Sequence, residues 1–164
     1  MNGTLTTRPE GAELVRLEDG REAWVGPATP GEVDAVLALA GAPVVHYLCH
    51  TAGPRDEVAT TTAPLFVART PDDTVLGAGW LKADDDGMEA ELAVFVAAGL
   101  QRSGLVGAVL QAGAAAARAA GYRRLRTQVH RELHDPIHDL QAAGFRVESC
   151  CAMGGITDVV LGLP

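Results

Sequence analysis

The run Ala90-Glu91-Leu92-Ala93-Val94-Phe95-Val96 carries one carboxylate, Glu91, among apolar side chains. Shortly after it comes Gln101-Arg102-Ser103-Gly104, and then the apolar start Leu105-Val106-Gly107. A strand that passes through a short turn into a helix leaves unpaired N–H groups at the helix start. Those groups and the helix dipole attract phosphate oxygens. Gln101 to Leu105 stand where such groups are expected. Gly104 lets the backbone approach a ligand closely, and Arg102 adds a charge-assisted contact. The chemistry suggested is proton abstraction beside an anionic ligand. The plainer alternative is an ordinary crossover turn, with Glu91 in a structural ion pair.

Other clusters point less far. His130, His134 and His138 recur every fourth residue, as zinc ligands on one helix would. Pro136 breaks that helix, because proline suits a first helical position and Asp135 a cap. No metal is expected. His46, Cys49 and His50 lie close in "VVHYLCH", where a buried face beside a substrate groove is favoured over a Cys-His nucleophile. Asp84-Asp85-Asp86-Gly87 lacks the length and final glutamate of a calcium loop and reads as a hairpin turn.

The 164 residues suit one domain, with residues 1–12 as a loose lead-in. Net charge is −8, which opposes a nucleic-acid surface. Arg118, Arg123, Arg124 and Arg126 still cluster enough for a local anion site. The three cysteines form no disulfide framework, and Cys150 and Cys151, as strand neighbours, point apart. No apolar run reaches the roughly 20 residues of a membrane span, and "MNGTLTTRPEGAE" lacks the apolar core expected of a signal peptide. A cytoplasmic protein without a membrane or nucleic-acid partner is expected. The closing strands offer an edge for a homodimer.

Periodicity supplies the frame. "ELVRL" and "EAWVG" flank Asp19-Gly20, a hairpin signal. Thr29, Pro30 and Glu32 form a capping box before a helix whose face is Val33, Val36, Leu37 and Ala40. "VVHYLCH" suggests a second short helix. "PLFVART", "TVLGAGWLKA" and "MEAELAVFV" read as a three-stranded antiparallel meander. In the helix after Gly104, Leu105, Val109, Ala112, Ala116 and Ala119 share one face, and Gly121 ends it. "RRLRTQVH" is a strand parallel to that of Glu91. A short helix from Pro136 to Gly144 and the strands "FRVESCC" and "ITDVVLGL" complete an α/β (α+β) order. Trp24 and Trp80 are core or groove residues.

Gln-x-x-Gly at 101–104, between an apolar strand and an amphipathic helix, resembles the acetyl-CoA signature of the GNAT N-acetyltransferase superfamily. "AAGYRRLRTQV" and "LQAAGF", with Gly144-Phe145, extend the match. "LEDGREAWVGPATPGEVDAVLAL" and "AELAVFV" are similar to a GNAT group that includes bacterial protein lysine acetyltransferases, and the resemblance covers about residues 13–164. It implies the GNAT fold, a mixed, splayed and twisted sheet flanked by helices. It implies acetyl transfer from acetyl-CoA to a primary amine, of a protein lysine or of a small molecule such as an antibiotic or polyamine. The backbone at Val94, Phe95 and Val96 would hold the thioester and pantetheine arm. Gln101, Arg102, Ser103, Gly104, Leu105, Val106 and Gly107 would wrap the pyrophosphate. Glu91 would be the general base, His134 would lie near the CoA arm, and His46, Tyr47 and His50 would meet the acceptor. The chain departs from the family pattern at three places. Val106 replaces a Gly or Ala, Leu133-His134 stands where an asparagine is common, and Leu140 replaces a tyrosine. These departures define a second reading, a weak or inactive GNAT-like module acting through protein contacts.

Overall fold

The computed structural model describes residues 8–40, 44–46, 64–83, 86–100, 103–130 and 136–163. Glu13–Arg16 (β1) and Glu22–Pro27 (β2) form the first hairpin. Its turn uses Gly20 at φ +85°. The Asp19 carboxylate accepts from the backbone N–H and the Nε of Arg21. That backbone bond is the main reason the Asp19 carboxyl is held below its ordinary value.

Thr29 and Glu32 form the expected capping box, around a 3-10 turn at Pro30–Glu32 that runs into α1, Val33–Ala40. Glu32 Oε2 accepts from Thr29 N–H at 2.7 Å and from Thr29 Oγ1 at 3.0 Å. Its other oxygen pairs with buried Arg69 at 2.5 Å. The capping group is therefore also the clasp that fixes α1 to the sheet.

The segment expected as a second helix instead enters strand β3, Val44–His46. Two adjacent β-branched valines favour a pleated backbone, and a neighbouring strand edge supplies partners. Residues 47–50 lie outside the described residues.

Leu65–Arg69 (β4), Val75–Ala83 (β5) and Glu89–Ala97 (β6) form the antiparallel meander. Leu105–Ala119 (α2) leads to Arg124–His130 (β7), parallel to β6. Pro136–Ala142 (α3), Arg146–Met153 (β8) and Ile156–Gly162 (β9) close the chain. The described strands form one sheet in the order β1-β2-β4-β5-β6-β7-β9-β8, with β3 paired to β6 off that path. Only the β6–β7 pair on that path is parallel.

Each sheet face has its own core. On one side Leu92, Val94 and Val96 of β6 meet α2 and Leu140 of α3. On the other, Ala93 and Phe95 pack with Trp80 and with Val36 of α1. Trp80 and Phe95 meet edge-on, with centroids 6.0 Å apart; Trp24 is half-buried in β2. The buried face of α2 is rotated from the sequence expectation. Gly113, Ala114 and Ala117 are buried beside Leu105, Val106, Val109 and Leu110, while Ala119 is exposed. A Cβ at Gly113 would stand 2.7 Å from the Leu92 side chain. The helix turns its smallest residue to the sheet so that Leu92 can fit beneath it.

Candidate active site

Side chains alternate across a strand, and partners in register share a face. Glu91 therefore lies on the α1 face with Ala93 and Phe95. Its register partners are Lys82 on β5 and Arg126 on β7. Glu91 is half-buried, and both cations are exposed. In the row before it, Arg124 reaches Glu148 at 2.7 Å and Glu89 at 4.0 Å. The Arg124 hydrogen bond is the main reason that the Glu148 carboxyl is held below its ordinary value. The basic cluster expected as an anion site is thus divided. Arg126 shares the Glu91 row and Arg124 the row before it, whereas Arg118 lies on α2.

The sheet opens immediately beyond Glu91. β7 pairs with Glu89, Ala90 and Glu91 and then leaves β6. β5 holds the opposite edge of β6 through Val96. β3 pairs with Phe95, Val96 and Ala97. Because β5 already holds one edge there, β3 takes the edge that β7 has left. Between the two, no strand among the described residues pairs with Leu92, Ala93 or Val94 on that edge. The Thr127 hydroxyl, on departing β7, donates to Leu92 O at 3.4 Å.

The start of α2 lies on the other face. Gly104 takes φ +84°, the left-handed region glycine tolerates. Ser103 is buried; its hydroxyl donates to Leu100 O at 2.7 Å and accepts from Leu105 N–H at 3.3 Å. Leu105 is fully buried and Val106 is 6% exposed, both in the core. Val106 thus turns its side chain inward, into the core beneath α2. The N–H groups of Gly104, Val106 and Gly107 have no acceptor among the described residues. A Cβ at Gly107 would stand 3.3 Å from Ala143 Cβ, so this glycine lets the end of α3 approach. The Gln111 side-chain amide donates to Ala143 O and ties the two helices together.

A groove of about 990 Å³ begins at Gly104, Val106 and Gly107 and follows α2 to Arg118, between the β1–β2 hairpin and α3. Leu140, 4% exposed in the core, lines it. Glu91 does not line it, because the groove and Glu91 occupy opposite faces. The opening at Leu92–Val94 lies between them.

Among the predicted site residues, Glu91, Val94, Phe95 and Val96 share β6, and Ser103 to Gly107 meet at the α2 start. His46 ends β3, paired with Phe95. Gln101, Arg102, Tyr47, His50 and His134 lie outside the described residues. The sequence reading missed Lys82, Gln128 and Asp158, which strand register alone brings to the Glu91 face. Among the described residues no group of three His, Cys, Asp or Glu could hold a metal, and no helix is long and apolar enough to cross a membrane. Cys150 and Cys151 are exposed free thiols.

Comparison with known proteins fits this architecture. The family model described as Acetyltransferase (GNAT) family matches residues 42–145, more than half of the chain. No curated protein matches the sequence itself. Among solved structures, the GNAT domain of S. lividans PAT superposes with a TM-score of 0.72 at 20% identity, covering 94% of this chain and 99% of that one. An N-acetyltransferase from Staphylococcus aureus Mu50 gives 0.66 at 20% identity, covering 87% and 99%. The protein yncA from Salmonella typhimurium, solved with its cofactor acetyl-CoA, gives 0.61 at 15% identity, covering 85% and 93%. The open mixed sheet and its flanking helices are the fold these solved structures share. The chain belongs to the acetyltransferase (GNAT) family and is an acyltransferase that uses acetyl-CoA.

Proposed function

We propose that this protein moves an acetyl group from acetyl-CoA to a primary amine, of a protein lysine or of a small molecule, with Glu91 as general base. One observation carries the proposal. Glu91 is the last β6 residue paired to β7, at the mouth of the only opening in β6's partnering among the described residues. The groove at the α2 start is on the opposite face, so a donor anchored there reaches Glu91's face through Leu92–Val94.

The donor fits the residues present. Gly104, Val106 and Gly107 offer backbone N–H groups to the pyrophosphate, and Ser103, Leu105 and the neighbouring Gln101 and Arg102 are assigned to the same group. The backbone at Val94, Phe95 and Val96 holds the thioester and its arm, and His134, outside the described residues, is assigned to that arm. His46, Tyr47 and His50 contact the acceptor. An amine with an ordinary lysine pKa near 10.4 is about 99.9% protonated at pH 7, so a proton must leave before attack. Glu91 takes it. The amine nitrogen forms a bond to the acetyl carbon as the C–S bond breaks, and sulfur leaves as thiolate. An ordinary thiol pKa of about 8.5 makes that departure tolerable without a side-chain acid, which suits a chain whose Leu140 is buried in the core.

The test pairs calorimetry with turnover. Acetyl-CoA should bind, and Glu91→Gln should lower kcat about a hundredfold or more while acetyl-CoA affinity stays nearly unchanged. Equal loss of both would make Glu91 structural, and no binding at millimolar acetyl-CoA would remove the reaction. One observation favours the alternative, a module acting through protein contacts: β3 occupies the edge of Phe95 and Val96 that the donor arm requires.

A further inference from the structure

A second carboxylate shares the Glu91 face. Gln128 follows Arg126 by two residues on β7 and therefore lies on the same face, and its register partner on β9 is Asp158. Gln128 Nε2 donates to Asp158 Oδ1 at 2.9 Å, and both residues are half-buried. Asp158 stands mid-strand among Thr157, Val159 and Val160, a setting where aspartate is disfavoured. On its other side the register partner is Cys151. Glu91 lies between two cations, whereas Asp158 lies between neutral partners. Among the described residues it joins no ion pair. The Gln128 bond fixes one oxygen of the carboxylate and aims the group over the face that Glu91 shares.

Asp158 is two strands from Glu91 and two residues further along, which places the two Cα atoms about 12 Å apart on standard sheet spacing. The geometry points to Asp158, clamped by Gln128, as the residue that receives a second positive charge of the acceptor, making the preferred acceptor a dication. This rests on the reading of Glu91 as the base that meets the reacting amine. The second ammonium, several bonds away along the acceptor, meets Asp158. Asp158 is a specificity residue here and takes no proton.

Calorimetry with hexamethylenediamine and with hexylamine, on protein saturated with CoA, tests the assignment without requiring turnover. Wild type should bind the diamine more tightly than the monoamine. Asp158→Asn keeps an acceptor for Gln128 but loses the charge, and should weaken diamine binding about ten- to a hundredfold, as expected for a lost charge-assisted bond. Hexylamine binding and CoA affinity should not change. Gln128→Leu should weaken diamine binding by a smaller factor and serves if the first variant is unstable. Diamine binding within twofold of wild type in both variants, or a diamine bound no better than hexylamine, overturns the assignment. A protein that binds the diamine through Asp158 yet moves no acetyl to it overturns the transfer reaction and leaves the Asp158 site standing.

Discussion

At the residue scale the decisive position is Val106. Its side chain fills the core beneath α2, so what it offers a ligand is its N–H. Val106→Ala should therefore cost about 2 kcal/mol of stability through lost burial and leave acetyl-CoA affinity within about threefold. Thermal melts and calorimetry check both halves, and a tenfold gain in affinity would show that the valine side chain crowds the pyrophosphate. Glu91 and Gly104 were legible in the chain because each breaks a local pattern: a charge in an apolar run, and a glycine between a turn and a helix. Asp158 and Gln128 break patterns too, yet nothing local pairs them. They are thirty residues apart, and only the β7–β9 register makes them neighbours.

At the element scale, two contacts decide how parts meet. Arg69 is 2% exposed, pairs with Glu32, donates to Pro27 O at 3.0 Å, and leaves its buried Nε with no acceptor among the described residues. Removing it strands the Glu32 carboxylate against the sheet. Arg69→Ala should lower stability by about 3 kcal/mol, read by urea denaturation; a loss below about 1 kcal/mol would mean α1 is held by Val36 packing instead. The second contact is β3. A donor arm running from Val94 toward the α2 start passes Phe95 to Ala97, where β3 is paired. Acetyl-CoA should therefore speed amide exchange in Val44–His46, measured by hydrogen–deuterium exchange. Slower or unchanged exchange there would show that the arm leaves β6 before Phe95. The hairpins, the capping box, the meander and the parallel crossover were readable because turn chemistry and periodicity are local. The β3 strand was not, since its short apolar run suits helix or strand equally until an edge is available. The rotated face of α2 escaped for a related reason. Alanines define a helix face poorly, and the choice fell to the fit of Gly113 over Leu92.

At the scale of the whole molecule, the groove along α2 and Glu91 lie on opposite faces of the sheet, with the opening in β6's partnering between them. If the donor binds as proposed, it engages α2, β6 and the β1–β2 hairpin together and should stabilise the domain as one unit. Acetyl-CoA at about a hundred times its Kd should add about 2.7 kcal/mol, seen as a single shifted melting transition, and Glu91→Gln should show the same shift. Two transitions, or a shift lost with Glu91, would mean the faces act separately. The sequence by itself determined the first hairpin, the capping box, the meander, the parallel crossover and the family, because each is written in residue types at short spacing. Tertiary structure alone decided that β7 leaves β6 after Glu91, that β3 takes the vacated edge, that Val106 faces inward and that Asp158 joins the face of Glu91. Those outcomes depend on which strand edges meet and which small residues let layers close, and such long-range choices leave no period in the chain.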